Sequence, residues 1–237
     1  ECENNNLTSI DLSNNKKLKY LSCQGNKLLS LDVSDNTLLT ELECGSNEIT
    51  ALDISKLTLL TELYCNDNQI SSLDISNNLL LTKLYCNMNQ IETLDITKHT
   101  ALTELYCNSN LLTLLDISKN LLLTKLYCGN NQLKTLDVTK HTALTELSCA
   151  SAQLSSLDVS KNTLLTKLYC NDNQLTELNL TANNSLIEFN CSKNTITTLD
   201  LSNKKALNKV TCTECGLKSI KLNGCTALEH LSISKNQ

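Results

Sequence analysis

The chain has 237 residues, of which 41% are hydrophobic, and this is enough for a continuous core. Aromatic residues make up only 3%, and tryptophan and proline are absent, so leucine and isoleucine must form most of that core. The net charge is -5 and every base is lysine, which argues against a nucleic-acid partner because arginine on a basic surface usually recognises phosphates and guanines. No apolar run approaches the roughly 18 to 20 residues that a membrane-spanning helix needs, so membrane insertion is not expected.

A repeat of constant length organises the sequence. Cysteines recur at intervals of 21 residues from Cys2 to Cys212, and Ile233 occupies the next position in phase. Residues 60–80 form one unit, LTELYCNDNQISSLDISNNLL. One such unit cannot bury its own apolar face, so neighbouring units must stack. We predict a single repeat domain over residues 1–237, with about eleven units, and because terminal repeats normally need polar caps, we expect it to be part of a longer protein.

Each unit begins with a predicted strand. Leu63 and Cys65 are two residues apart and therefore point to one face of the strand, whereas Tyr64 between them points to the other. Stacked units should form a parallel sheet with strands about 4.8 Å apart. Asn68 follows where the chain turns, and its amide can satisfy backbone groups that leave the strand. The same column holds Asn5, Asn26, Asn47, Asn89, Asn110, Asn131, Asn173, Asn194 and Asn236, which predicts an asparagine ladder interrupted at Ala152 and Cys215.

The second half of each unit is expected on the convex side. Alternation in residues 73–76 suggests a second, short strand there. An aspartate column runs through Asp11, Asp32, Asp53, Asp74, Asp95, Asp116, Asp137, Asp158 and Asp200. These carboxylates could hold calcium, or they could accept hydrogen bonds from turn amides and pair with nearby lysines. We favour the turn, because the repeat lacks the glycine-rich nonapeptide of calcium-binding β-rolls.

The spacing LxxLxCxxN, followed by LD[IVL][ST], resembles the 21-residue, cysteine-containing leucine-rich repeats of bacterial internalin-like surface proteins of the internalin J type. The expected fold is an α/β-class repeat solenoid that is mostly β, a right-handed coil with a parallel concave sheet and short convex strands. The resemblance implies a secreted or wall-attached bacterial protein used in adhesion, with an extracellular or cell-surface location.

Thirteen cysteines invite a redox or metal hypothesis, and Cys212 and Cys215 form a C-x-x-C pair. The ladder cysteines point inward, where a free thiol behaves as a small hydrophobe. A disulfide needs Cβ atoms about 3.8 Å apart, closer than the strand spacing, so we predict buried, reduced thiols. We interpret Cys215 and Cys225 as local drift and expect no metal site, because a structural zinc normally needs four ligands.

One outward column of the sheet is rich in tyrosine. Five of the six tyrosines occupy it: Tyr64, Tyr85, Tyr106, Tyr127 and Tyr169. Tyrosine combines a flat apolar ring, a hydroxyl and little rotamer entropy to lose, which suits a binding surface. The alternative is structural, because stacked aromatic residues on neighbouring strands also stabilise a sheet.

A neighbouring column alternates in charge through Glu62, Lys83, Glu104, Lys125, Glu146, Lys167, Glu188 and Lys209. Alternation avoids repulsion between adjacent strands. We expect any ligand to centre on Tyr85, Tyr106 and Tyr127. Lys83, Glu104 and Lys125 would then form a charged rim, and Asn87 and Asn108 would supply hydrogen bonds.

No catalytic triad, nucleotide-binding loop or metalloprotease motif can be assembled, and no cofactor is implied. The sequence therefore favours a non-catalytic adhesion or binding module that recognises a protein or a glycan through its concave face. Two alternatives remain open at this stage. The chain could be a spacer that projects another domain, or part of an effector whose enzymatic domain lies outside these residues.

Overall fold

The computed structural model describes residues 1–237 and contains short strands and turns but no helix. From the second repeat onward, a three-residue strand stands at the predicted position, as at Glu62–Tyr64. The strands are β1 Tyr20–Ser22, β2 Glu41–Glu43, β3 Glu62–Tyr64, β4 Lys83–Tyr85, β5 Glu104–Tyr106, β6 Lys125–Tyr127, β7 Glu146–Ser148, β8 Lys167–Tyr169, β9 Glu188–Asn190, β10 Thr198–Asp200, β11 Lys209–Thr211, β12 Ser219–Lys221 and β13 His230–Ser232. The predicted parallel-strand solenoid with a 21-residue period is confirmed.

The chain divides into two compact units, and the first comprises Glu1–Leu122. Its strands β1 to β5 pair in sequence order, and every pairing is parallel. The register joins residues 21 positions apart, as in Leu63 with Leu84 and Tyr64 with Tyr85. Each column of the repeat therefore becomes a physical stack of side chains.

The second unit comprises Leu123–Gln237. Strands β6, β7, β8, β9, β11 and β13 form parallel pairs in that order, with the same 21-residue register. The inward leucine of the strand is replaced by Phe189 in β9 and by Val210 in β11, and both side chains remain buried. The column thus tolerates several apolar shapes while keeping its inward orientation.

The convex strand predicted at residues 73–76 is wrong for that repeat, where residues 73–75 form no regular element and a turn begins at Ser76. Equivalent positions become strands at β10 and β12, which pair in parallel as a separate two-stranded sheet. There the two backbone segments form lateral hydrogen bonds: the Lys218 amide donates to the Thr197 carbonyl, and the Leu201 amide donates to the Lys221 carbonyl. Side-chain alternation alone does not determine whether these lateral bonds form.

The predicted asparagine ladder is confirmed. Asn47 Nδ2 donates to the carbonyls of Cys23 and Cys44 at 3.1 Å, and its Oδ1 accepts the Leu28 amide at 3.0 Å. One side chain thus bonds to the strand end of its own repeat and to that of the repeat before it. The preceding residue adopts a left-handed backbone, with φ of 53° at Ser46, and the ladder bonds hold this turn.

A second inward polar column lies on the opposite side of the coil. Asn78 Nδ2 donates to the carbonyls of Ile54 and Leu57 at 3.0 and 2.8 Å. In other repeats, His99 Nε2 contacts the Ile75 carbonyl at 3.1 Å and Lys204 Nζ donates to the Leu180 carbonyl at 2.7 Å. All these side chains are buried, so the position accommodates several types of hydrogen-bond donor. Leu57, which is also buried, occupies it in one repeat without a donor.

Candidate binding face

The outward side chains of the strands form what we call the sheet face. In the first unit, β3, β4 and β5 place Tyr64, Tyr85 and Tyr106 in one stack. The ring centroids of Tyr64 and Tyr85 lie 4.8 Å apart in an edge-to-face arrangement, and those of Tyr85 and Tyr106 lie 4.1 Å apart with tilted planes. These three residues, which we call the tyrosine cluster, form a half-buried aromatic surface.

The tyrosine hydroxyls bond to glutamates of the charged column. Tyr64 donates to Glu62 Oε2 at 2.6 Å within its own strand, whereas Tyr85 donates to Glu104 on the next strand. The difference follows from the charge alternation, because the next strand after Tyr64 carries Lys83, which cannot accept a hydrogen bond. Each hydroxyl therefore turns toward the strand that offers a carboxylate.

These contacts shift the acid–base properties of the face. Burial, and then the hydrogen bond to Glu62, raise the pKa of Tyr64 well above its usual range. The pKa of Tyr85 is raised by burial, by its bond to Glu104 and by the adjacent Tyr106. Burial alone would raise the pKa of Glu62, but the bonds from Tyr64 and Lys83 outweigh it and lower the pKa. At neutral pH both phenols are protonated and act as hydrogen-bond donors.

The predicted charge alternation forms ion pairs between neighbouring strands. Lys83 Nζ lies 3.1 Å from Glu62 Oε1, and Lys167 Nζ lies 3.3 Å from Glu146 Oε1. The alternation fails at β2, where Glu41 stands opposite Glu62. Burial, followed by repulsion from Glu62, raises the pKa of Glu41. This end of the first unit therefore carries negative charge that no adjacent strand neutralises.

The remaining predicted binding residues lie at two other places. Asn87 and Asn108 are half-buried two positions after Tyr85 and Tyr106, on the same face of the first unit. Tyr127 and Lys125 belong to β6 in the second unit. The predicted centre at Tyr85, Tyr106 and Tyr127 therefore draws on both units, whereas the ring contacts that the structure describes join Tyr64, Tyr85 and Tyr106.

In the second unit the aromatic column is interrupted. Tyr127 donates to Glu146 Oε2 at 2.5 Å, and Tyr169 donates to Glu188 Oε2 at 2.7 Å. Ser148 stands between the two tyrosines in the register. The hydroxyl contacts of the first unit thus recur, but the continuous run of tyrosines does not.

A row of exposed leucines, which was not predicted from the sequence, lies in the loop before the strand. Leu38, Leu59, Leu80 and Leu122, which we call the leucine ridge, are 41%, 42%, 51% and 56% exposed. They recur at 21-residue spacing, with alanine at the intervening position 101. The available signal was a leucine immediately before the buried leucine that opens several repeats, where only the second of the two is buried. Contiguous exposed apolar side chains often mark interaction surfaces.

The aspartate column accepts turn amides, as favoured from the sequence. Asp95 Oδ1 accepts the Thr97 amide at 3.0 Å, and Asp53 Oδ1 accepts the Ser55 amide at 2.9 Å. Hydrogen bonds from the Thr97 and Ser55 side chains, and then these amide bonds, lower the pKa values of both carboxyl groups. No group of three or more histidine, cysteine, aspartate or glutamate side chains is arranged to hold a metal ion. The structure also contains no helix capable of crossing a membrane.

The fold and the inward cysteine column match known structures. The functional domain of InlJ from Listeria monocytogenes, which includes a cysteine ladder, is 34% identical over 95% of this chain and 60% of its own, with a TM-score of 0.81. The chain has the internalin-like leucine-rich-repeat fold. A leucine-rich-repeat protein of Leptospira interrogans shares 26% identity over 94% of this chain and 62% of its own, with a TM-score of 0.83.

This leucine-rich-repeat chain therefore spans about three fifths of each of those two structures. The leucine-rich effector protein YopM of Yersinia pestis is 23% identical over 99% of this chain and 65% of its own, with a TM-score of 0.82, and at that identity the likeness shows the fold alone. No protein-family model and no curated protein matches the sequence.

Proposed function

We propose that this leucine-rich-repeat chain is a non-catalytic binding module of a bacterial surface or secreted protein, and that it recognises a protein partner through the sheet face. Residues 1–237 would act as one repeat domain within a longer protein. The observation that carries the proposal is the tyrosine cluster of the first unit, where three rings stack on adjacent strands and stay partly exposed.

The tyrosine cluster suits binding because its geometry is held in advance. Tyr64 and Tyr85 are anchored through their hydroxyls to Glu62 and Glu104, so their rings have little rotamer freedom left to lose when a partner docks. Rigid aromatic side chains provide a large contact area at low entropic cost, and they are common among the residues that dominate binding energy.

The surroundings of the tyrosine cluster also favour a protein partner. Lys83 and Glu104 provide a mixed-charge rim, and the half-buried Asn87 and Asn108 offer amide groups on the other side. The leucine ridge adds apolar surface in the same unit. An aromatic centre with a polar rim is the usual composition of a protein interface, whereas aromatic rings with amides alone would also suit a glycan.

One observation favours the spacer as a second candidate. The hydroxyls of Tyr64, Tyr85, Tyr127 and Tyr169 already bond to glutamates within the sheet. A column that satisfies itself in this way could exist for stability alone. The spacer hypothesis predicts that no ligand depends on the tyrosines.

The test is a binding screen against host-cell surface proteins and a glycan array, followed by affinity measurements on variants. Tyr85→Ala combined with Tyr106→Ala should weaken a protein partner about 30-fold, or about 2 kcal/mol. Tyr127→Ala with Tyr169→Ala is the matched control in the second unit, and Asp95→Ala with Asp116→Ala is the control on the opposite side. Both controls should change the affinity less than about threefold.

All variants must be compared at equal folded fraction, because the tyrosines also stabilise the sheet. Full affinity in a folded Tyr85, Tyr106 variant, together with loss in the aspartate variant, would place the binding surface on the opposite side. If the chain binds a glycan but no protein, the proposed protein partner is wrong and a glycan takes its place. Absence of any ligand for the wild-type chain in both screens would favour the spacer.

A further inference from the structure

Three cysteines of the second unit come together at one place in the core. Cys191 Sγ lies 3.1 Å from Cys212 Sγ and 3.9 Å from Cys215 Sγ. All three side chains are buried. Cys191 and Cys212 follow β9 and β11 as members of the regular cysteine column, whereas Cys215 is an additional thiol from the asparagine ladder position. This grouping of three thiols distinguishes the place from a regular pair such as Cys44 and Cys65.

The thiol of Cys215 takes over part of the role of the ladder amide. Its Sγ donates to the Cys191 carbonyl at 3.2 Å and to the Thr213 carbonyl at 3.5 Å, which correspond to two carbonyls bonded by each ladder asparagine. The Cys191 carbonyl also accepts Asn194 Nδ2 at 2.8 Å. If the Cys215 sulfur were engaged elsewhere, this carbonyl would therefore keep a partner and no buried acceptor would be orphaned.

The two sulfur contacts of Cys191 differ in backbone geometry. Cys191 and Cys212 stand side by side on paired parallel strands, where the spacing of about 4.8 Å exceeds the Cβ separation of about 3.8 Å that a disulfide prefers. Bonding that pair would pull two strands of the sheet together. Cys215 lies in the turn beyond the strand, next to Glu214 with φ of 57°, so its approach to Cys191 is not set by the strand spacing.

We propose that Cys191 and Cys215 form a modification site at which a small peroxide converts two buried thiols into a reversible disulfide. One thiol reacts with the O–O bond of hydrogen peroxide, giving a sulfenic acid and one water. The second thiol attacks that sulfenic sulfur, forming the S–S bond and releasing a second water. Two thiols are oxidised and one peroxide is reduced, and a thiol reductant restores the starting state.

The substitution Cys215→Asn provides a matched control, because asparagine is the residue that other repeats carry at this position, as at Asn194 and Asn236. The folded chain is treated with about one equivalent of hydrogen peroxide, denatured, alkylated and examined by mass spectrometry. Two of the thirteen cysteines should escape alkylation, and peptide mapping should join Cys191 to Cys215. The urea midpoint of the oxidised chain should rise and return after reduction.

Cys215→Asn should slow the loss of alkylatable thiols at least about tenfold, since the pair is removed while the ladder is restored. Cys191→Ala should do the same, and Cys212→Ser should leave the Cys191 to Cys215 link intact, with folding of each variant checked by circular dichroism. The proposal is overturned if Cys215→Asn oxidises as fast as the wild type. A link between Cys191 and Cys212, or an equal yield of a Cys44 to Cys65 link, would overturn it as well.

Discussion

The two units follow the same 21-residue frame but use their outward columns differently. In the first unit, Tyr64, Tyr85 and Tyr106 form a continuous run with ring contacts, whereas Ser148 separates the two tyrosines of the second. The leucine ridge likewise belongs to the first unit, whereas Leu164 is the exposed leucine of that column in the second. The inward apolar column is nearly constant in both. The difference shows that the fold depends on the inward columns and leaves the outward ones free to specialise.

The polar ladder shows the same contrast in a milder form. It is continuous from Asn26 to Asn110 in the first unit, whereas the second contains Ala152 and Cys215 in the ladder position. At the alanine, Asn173 Oδ1 accepts two amides, those of Ala152 at 3.2 Å and Leu154 at 2.9 Å. A neighbouring amide thus provides an extra contact at the gap in the ladder.

The largest effect is expected from breaking the continuous ladder of the first unit. Asn89 Nδ2 donates to the carbonyls of Cys65 and Cys86, and its Oδ1 accepts the Ile70 amide. Asn89→Ala should lower the free energy of unfolding by about 2 kcal/mol, because the Ile70 amide loses its acceptor. The carbonyls of Cys65 and Cys86 each lose one of two amide donors and keep Asn68 and Asn110. Urea denaturation measures the change.

Two further variants sharpen this comparison. Asn87→Ala, two residues earlier on the sheet face, should cost less than about 0.5 kcal/mol. Ala152→Asn should close the gap in the second unit and add about 1 kcal/mol. If Asn89→Ala proved as mild as Asn87→Ala, water or neighbouring backbone would be replacing the ladder amide.

Alkaline pH should distinguish the tyrosines of the two units. A phenol whose pKa is raised by folding contributes stability that is fully present below its ordinary pKa of 10.0 and is lost as the pH rises through the folded value. The pKa of Tyr85 is raised by burial, Glu104 and Tyr106, whereas that of Tyr169 is raised by burial and glutamates without a neighbouring phenol.

Stability should therefore decline above about pH 10, by about 1 kcal/mol for Tyr85 after allowance for solvent screening. Urea titrations at increasing pH should show that Tyr85→Phe removes more of this decline than Tyr169→Phe does. If the free energy of unfolding declines equally with pH in the two variants, the contact with Tyr106 does not help to stabilise the protonated form of Tyr85.

Completing the aromatic run in the second unit should stabilise it. Ser148→Tyr places a ring between Tyr127 and Tyr169, and we expect a gain of about 0.5 to 1 kcal/mol from aromatic contacts across strands. Thr211→Tyr is the matched control, because its register partners are Asn190 and Ser232 rather than aromatic residues. An equal gain at both positions would show that strand propensity, and not ring contact, accounts for the effect.

The smallest effect is expected at Glu41 and Glu62, two glutamates on adjacent strands of the first unit. The lowered pKa of Glu62 means that its carboxylate contributes stability above its unfolded pKa, near 4.3, and loses it as the pH falls through the folded value. The raised pKa of Glu41 has the opposite effect on stability, because its ionised carboxylate destabilises the folded state. At pH 7, Glu62→Gln should lower the free energy of unfolding and Glu41→Gln should raise it, each by about 0.3 kcal/mol because both groups are mostly solvated. Thermal melts at low salt measure both changes. If the two variants shift the melting temperature in the same direction, the opposite effects expected for Glu62 and Glu41 are wrong.

The sequence by itself determined the coil, its period and its inward columns. A strict 21-residue spacing allows only one register in which leucine and cysteine stack on themselves, and burial of the apolar face selects it. The ladder role of Asn47 and the turn role of Asp95 followed for the same reason, since each is a hydrogen bond that recurs with the 21-residue period.

Only the tertiary structure decided the ring contacts of the tyrosine cluster and the choice of Glu62 or Glu104 as acceptor. Those depend on rotamers that neighbouring strands select together. It also decided that convex strands form at β10 and β12 but not at residues 73–76, because lateral backbone bonds require small displacements between repeats that side-chain alternation does not encode. The meeting of Cys191 with Cys215 has the same origin, since sulfurs 24 positions apart come together only through the path of the turn.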